Sequence, residues 1–189
     1  MRKVAVMATV SLDGYFAGPN GELDWHDITV EIHEYFNSYL AEAGAFLEGR
    51  VTWQLMADYW PTADDDPDAP DTVKEFARIW RDMPKVVYSR TLESAGWGTT
   101  IVRDVVPADI EAMKAEPGGD LFVGGAEIVN EYRRHGLIDE YRIYVMPVVL
   151  GDGKPLFHPG NEPESLRLVE TKTFGNGVVL LRYEATRPG

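Results

Sequence analysis

The chain contains no cysteine. Disulfides, thiolate nucleophiles and cysteine-ligated zinc are therefore excluded. Histidine is scarce, with 4 in 189 residues, and no cluster of His and Asp stands at ligand spacing, so the sequence offers no metal centre. Positive charge is in deficit: 18 Lys and Arg face 31 Asp and Glu, a net charge of −13. A nucleic-acid partner needs a basic face and an anionic membrane needs a basic patch, so neither is expected. A small anionic ligand stays open, because one pocket can be basic in an acidic protein. Long hydrophobic runs are missing too. Val4–Val10, interrupted by Thr9 and stopped by Ser11-Leu12-Asp13-Gly14, is too short to span a bilayer and lacks a small-residue cleavage site. These absences predict a cytoplasmic protein with no membrane partner. There is no internal repeat, low-complexity linker or domain boundary, so residues 1–189 are read as one domain.

What is present has a clear order. Val4–Val10 is an apolar run of strand length, the mark of a buried central strand. An irregular loop with Gly14, Gly18, Pro19, Asn20 and Gly21 carries the chain to Trp25. Thr29 can cap a helix whose inner stripe is Ile32, Phe36, Tyr39, Leu40 and Ala43, with Gly44 ending it. Ala45–Glu48 is a short second strand, followed by a short helix to Tyr59. Pro61–Asp71 is rich in Pro and Asp, but its spacing matches no EF-hand and it reads as a solvated loop. Val73, Phe76, Ala77 and Trp80 mark another helix. Lys85–Tyr88 and Thr99–Val102 are strands, and Pro107 opens a helix to Ala115. Leu121, Phe122 and Val123 form a short strand, and the helix after it ends near Gly136. Glu140–Val149 is a long strand turned by Gly151-Asp152-Gly153. Leu166–Thr173 and Val178–Glu184 alternate as antiparallel strands around Gly175-Asn176-Gly177. Strand–helix units come first and antiparallel strands last. That order predicts an α/β fold with one mixed, mainly parallel sheet, helices on both faces and a C-terminal antiparallel hairpin.

The chemistry gathers where strands end. After Val123, Gly124 and Gly125 lead straight into a helix that begins with Ala126 and Glu127. Bare backbone there can approach a ligand, and the helix dipole and free N–H groups favour a phosphate. The other reading is a tight turn that needs glycine for its dihedral angles. Gly49-Arg50-Val51-Thr52 repeats the pattern: Arg50 can grip a phosphate with two bonds, and Thr52 and backbone N–H groups can hold another. Ser89-Arg90 follows a third strand, although a strand-end arginine is commonly just a surface ion-pair partner. Ligands of α/β sheets sit at the carboxyl ends of strands. Two or three phosphates on one such edge mean a dinucleotide, and two arginines suit a 2′-phosphate.

Taken together, Ser11-Leu12-Asp13-Gly14, Gly49-Arg50-Val51-Thr52-Trp53, Ser89-Arg90-Thr91-Leu92, Phe122-Val123-Gly124-Gly125-Ala126, Asp139-Glu140-Tyr141 and Pro147–Phe157 carry a resemblance. The chain resembles the dihydrofolate reductase-like superfamily over nearly its whole length. It is most similar there to the reductase domain of the riboflavin-biosynthesis deaminase–reductase and its stand-alone bacterial relatives. The resemblance implies a three-layer α/β/α fold, a homodimer and NADPH-dependent reduction of the 5-amino-6-(5-phosphoribosylamino)uracil type. It also implies roles. Arg50, Ser89 and Arg90 would hold the 2′-phosphate and adenosine side. Gly49, Thr52, Gly124, Gly125, Ala126 and Glu127 would cradle the pyrophosphate. Asp13 would lie beside the nicotinamide and substrate, as the candidate catalytic residue. The chain departs from the riboflavin domain at Met7, where that domain has Lys, and at Tyr15, where it has Arg. Both departures remove contacts to a ribityl-phosphate substrate.

On the substrate side the titratable candidates are Asp13, His26, Glu31 and His33. For the two histidines an exposed or structural role is the alternative. Glu31 or Glu34 could hold a pteridine, or simply face solvent. Trp25, Phe36, Trp53, Tyr59 and Trp60 could wall an aromatic pocket, with one or two expected to do so. Trp25, His33 and Phe36 are taken as the substrate-binding set. The function is then an NADPH-dependent reductase of a pyrimidine- or pterin-related small molecule. The alternatives are a dihydrofolate reductase-like enzyme with another substrate, or a nucleotide-binding protein that has lost the reaction.

Overall fold

Successive residues of the first strand, β1 (Val4–Ser11), are buried on opposite faces of a sheet. Val4, Val6, Ala8 and Val10 pack with Ile110, Val129 and Tyr132, whereas Ala5 packs with Leu40, Phe76 and Trp80. A strand buried on both sides needs an uninterrupted apolar run, and that is what Val4–Val10 supplies. The computed structural model describes residues 1–186; residues 187–189 of the expected domain lie outside them.

After β1 come β2 (Tyr15–Ala17), α1 (Val30–Leu40), β3 (Ala45–Gly49), α2 (Arg50–Tyr59), a 3₁₀ turn (Trp60–Thr62) and α3 (Asp71–Asp82). Then follow β4 (Lys85–Tyr88), β5 (Thr99–Val102), α4 (Pro107–Ala115), β6 (Leu121–Gly124) and α5 (Ala126–Arg134). The chain closes with β7 (Glu140–Met146), β8 (Lys154–Pro155), β9 (Leu166–Thr173) and β10 (Val179–Ala185). The main sheet has 8 strands in the order β5-β4-β3-β6-β1-β7-β10-β9. The strands from β5 to β7 in that order run parallel, and β10 and β9 add an antiparallel hairpin. Residues of α4 and α5 pack on one face, and residues of α1, α2 and α3 on the other. The chain winds outward from β1 through β3 and β4 to β5, then returns to insert β6 between β3 and β1. Its direction of travel reverses there, and such reversals are where α/β sheets place ligands. Among the described residues no helix is long and apolar enough to cross a membrane.

The helix cap at Thr29 forms as expected, its Oγ1 accepting from the Ile32 N–H at 3.4 Å, but α1 ends at Leu40, before Gly44. Strand β7 stops at Met146 and not at Val149. Pro147 has no N–H for the ladder, and the Val148 N–H turns back to the Met146 carbonyl. The stretch read as irregular between Ser11 and Trp25 contains β2, which pairs with β8. Both are too short to show a hydrophobic period. Because β7 is paired with β1 and β10, it is an interior strand. Its Glu140 binds Arg142 at 2.5 Å and Arg182 at 2.9 Å, a largely buried group that ties β7 to β10.

Candidate functional site

The parallel strands end together on one edge, and two of their turns abut. Gly49 caps α2 in an extended conformation, and Gly125 caps α5 with φ 88° and ψ 126°. Neither helix has a side-chain cap, so the first-turn N–H groups of both have no side-chain acceptor. Glu48 pairs with Gly124 across β3 and β6, which sets the two helix N-termini side by side. A Cβ on Gly125 would lie 2.7 Å from Thr52 Oγ1 and 3.7 Å from the Gly49 nitrogen. Glycine is therefore required twice over, for its positive φ and to keep this crook open. Two uncapped N-termini, a threonine hydroxyl and bare backbone suit the bridging phosphates of a dinucleotide.

The arginines stand on the same edge. Gly49 and Tyr88 are register partners, so Arg50 and Ser89-Arg90 follow adjacent strand ends. Arg50 is exposed and donates to Gln54 Oε1 at 2.8 Å. The Arg90 side chain is 81% exposed and donates to Asp104 from Nε at 3.0 Å and Nη2 at 2.5 Å. Both are free to exchange those partners for a phosphate. Ser89 is buried; its Oγ accepts from the Leu92 N–H at 2.9 Å and shapes the turn. Arg103, which sequence reasoning missed, donates to the Ser89 and Leu92 carbonyls at 2.7 and 2.8 Å and braces that turn from the end of β5. Its signal was similar to that of Arg90: an arginine within two residues of a strand end. At the rim of α5, the exposed Glu127 stands 3.8 Å from His158 Nε2.

Asp13 has a defined occupation. Its carboxylate accepts from the Leu150 and Gly151 N–H groups at 3.2 and 2.8 Å, and so pins the turn after β1 to the loop after β7. The Ser11 hydroxyl, followed by these backbone donors, holds the carboxyl down at about 2. Such a group carries no proton at neutral pH, so this arrangement makes Asp13 an acceptor and a clamp.

On the α1 face, Met7, Phe36, Met56 and Trp60 are half-buried around one core cluster, and Met7 and Phe36 also border the next. His33 stands 5.7 Å from the Trp60 ring and 5.9 Å from Phe76, and its burial holds it below the usual imidazole range, with Glu75 opposing. Trp25 lies edge-on to His26 at 4.1 Å and donates to the Glu22 carbonyl. Burial likewise holds His26 down. Trp53 is buried and donates to Thr99 Oγ1 at 3.0 Å, which makes it structural, and Tyr59 is exposed. Glu31 accepts from the Gly175 N–H at 3.0 Å, and Glu34 faces solvent. In the Asp-rich loop, Asp64 pairs with Arg81 through two bonds of 2.6 and 2.7 Å.

Glu48 was also missed. It is 5% exposed, and burial pushes its carboxyl up to about 7, against the pull of Lys85. Its only signal was a carboxylate inside the apolar strand Ala45–Gly49. Lys85 is itself buried over the Trp80 ring and donates to the Met83 and Trp97 carbonyls at 2.6 and 3.1 Å. At the opposite edge of the sheet lies a concavity of about 490 Å³ lined by Arg133, Arg134, Asn161, Glu164 and Thr186. It adjoins no strand carboxyl end of the parallel set, and its Arg133 is already 3.6 Å from Glu164.

The family described as the RibD C-terminal domain matches residues 2–180. Two proteins of Bacillus subtilis (strain 168) are similar over almost their full length, and both are described as uncharacterized. YyaP is 34% identical over 183 residues, covering 96% of this chain and 94% of its own. YwjB is 30% identical over 184 residues, covering 95% and 96%. Among solved structures, a candidate riboflavin biosynthesis protein from Shewanella sp. PV-4 superposes with a TM-score of 0.73 at 22% identity, over 99% of this chain and 100% of its own. A pyrimidine reductase-like protein from Corynebacterium diphtheriae NCTC superposes with a TM-score of 0.65 at 15% identity, over 99% and 93%.

Proposed function

The chain belongs to the RibD C-terminal domain family, and from that premise we propose that it is an NADPH-dependent reductase of a small pyrimidine- or pterin-related molecule. One observation carries the reading: the paired, uncapped N-termini of α2 and α5, kept open at Gly125. Bound NADPH would supply a hydride. The protein's own residues do the rest. The first-turn N–H groups after Gly49 and Gly125, with Thr52, hold the bridging phosphates. Arg50 and Arg90 leave Gln54 and Asp104 for the 2′-phosphate, while Ser89 and Arg103 keep their turn in place. Asp13 fixes the loop at Leu150–Gly151 and through it would position the reacting ring. Met7, Phe36 and Trp60, with His33 and Trp25, wall the substrate and exclude water, which hydride transfer requires.

The substrate is of the 5-amino-6-(5-phosphoribosylamino)uracil type in its ring. Met7, an apolar side chain where the riboflavin domain has Lys, favours an uncharged tail over a ribityl phosphate. A non-catalytic nucleotide-binding role is the second reading, favoured by the absence of a proton on Asp13. We take it to act in the cytoplasm as a homodimer, as the resemblance to the riboflavin-type reductases implies.

NADPH and NADH titrations followed by quenching of the 5 tryptophans test the reading. NADPH is expected to bind at micromolar levels. Arg50→Ala is expected to weaken NADPH about tenfold or more, the size of a lost charge-assisted hydrogen bond, with little effect on NADH. Equal losses would remove Arg50 from the 2′-phosphate site, and no binding of NADPH would remove the reductase.

A further inference from the structure

Glu48 stands one residue before Gly49, with its side chain on the face where α2 packs. It is nine-tenths buried, and its Oε2 has no hydrogen-bond partner among the described residues. Its Cγ lies 3.9 Å from the point where a Cβ on Gly124 would sit, and Thr52 Cγ2 lies 3.8 Å from the same point. A carboxyl with one buried, unpartnered oxygen thus lies directly beneath the crook between the two helix N-termini.

The neighbouring elements bring few charges to it. From β4 comes Lys85, whose Nζ is bonded to two backbone carbonyls and not to Glu48. No titratable side chain comes from β6 (Leu121–Gly124). Arg50 of α2 turns outward to Gln54. Asp82, on α3, acts on Lys85, and His33 of α1 is influenced by Glu75. Glu127 and His158 stand on the rim of α5.

We infer that Glu48 couples cofactor binding to a proton, which it takes up when the bridging phosphates of NADPH settle above it. This rests on the cofactor reading given above. Two like charges across a desolvated contact repel strongly, and the cheaper state is the one in which the buried carboxyl is neutral. Burial already pushes Glu48 to about 7, so both of its forms are populated near neutral pH. A further negative charge raises it again. NADPH therefore binds the protonated form better, and affinity falls as pH rises through and above that value.

Calorimetry of the whole protein in two buffers of different ionisation enthalpy reads the proton directly. At about pH 7.5 the parent is expected to take up about half a proton more per NADPH than Glu48→Gln does. Glu48→Gln should also bind NADPH several-fold more tightly than the parent at about pH 8.5 and equally at about pH 6. NADH, which has the same bridging phosphates but no 2′-phosphate, repeats the measurement without the cofactor's own titration. NADPH binding with the same proton count in parent and variant overturns the inference and leaves the cofactor reading standing. Failure to bind NADPH overturns both. Should the variant not fold, the parent decides: binding of NADH without proton uptake between about pH 7 and 8 overturns the inference.

Discussion

At the scale of single residues, side chains of one chemical type are sorted by what surrounds them. Asp13 and Glu48 are both carboxylic acids at strand ends on one edge of the sheet. Asp13 is solvated and surrounded by donors, which keep it ionised; Glu48 is sealed beneath α2 without a donor, which favours its neutral form. For Asp13 the consequence for stability has a definite sign. Its carboxyl is lowered from 3.8 to about 2, so the stabilisation it provides is complete above 3.8 and is lost as pH falls through about 2. Asp13→Asn is therefore expected to melt at a lower temperature than the parent at neutral pH, with the gap closing as pH approaches about 2. Melting curves across pH check this, and a gap that does not change with pH would mean that the ionised carboxylate is not its source.

Elements act here through their ends. Of the five helices only α1 has a side-chain cap; what sets α2 and α5 apart is that their uncapped N-termini lie side by side. An uncapped end lowers helix stability in the free protein and leaves donors for an anion. Gly125 is the element-scale test. Gly125→Ala would put a Cβ 2.7 Å from Thr52 Oγ1 on a backbone with φ 88°, a cost of about 1–3 kcal/mol in urea unfolding. The same substitution narrows the crook, so NADPH affinity should fall by more than unfolding alone explains. Gly136→Ala is the control, since it has a φ of 62° with nothing within 4 Å of its Cβ. It should cost stability and leave NADPH binding unchanged. Equal effects of both on NADPH would detach the crook from the cofactor.

The whole molecule explains why some of this was legible and some was not. Thr29, Val4–Val10, Gly124-Gly125 and Gly175-Asn176-Gly177 act through neighbours in the chain, so their local pattern was enough. The insertion of β6 between β3 and β1 depends on pairing between distant segments, yet it is what brings Gly49 and Gly125 together. Burial of Glu48, Lys85 and Arg142 follows from the same packing and contradicts what charged residues ordinarily do. Pro147 ends β7 at Met146, although the apolar residues around it carry the strand pattern on to Val149. The sheet has two edge strands, β5 and β9. Of these β9 exposes three large apolar side chains, Leu166, Leu168 and Val169 at 40%, 51% and 40%, and is the one expected to meet a second copy. Leu168→Glu is expected to convert a homodimer to monomer in light scattering, and a monomeric parent would end the proposal. Bound NADPH is expected to lie on the paired N-termini of α2 and α5. Amide hydrogen exchange with and without NADPH measures it most directly. Slower exchange is expected in residues 49–53 and 124–129. Protection confined to the far edge, around Arg133, Arg134 and Asn161, would contradict the account.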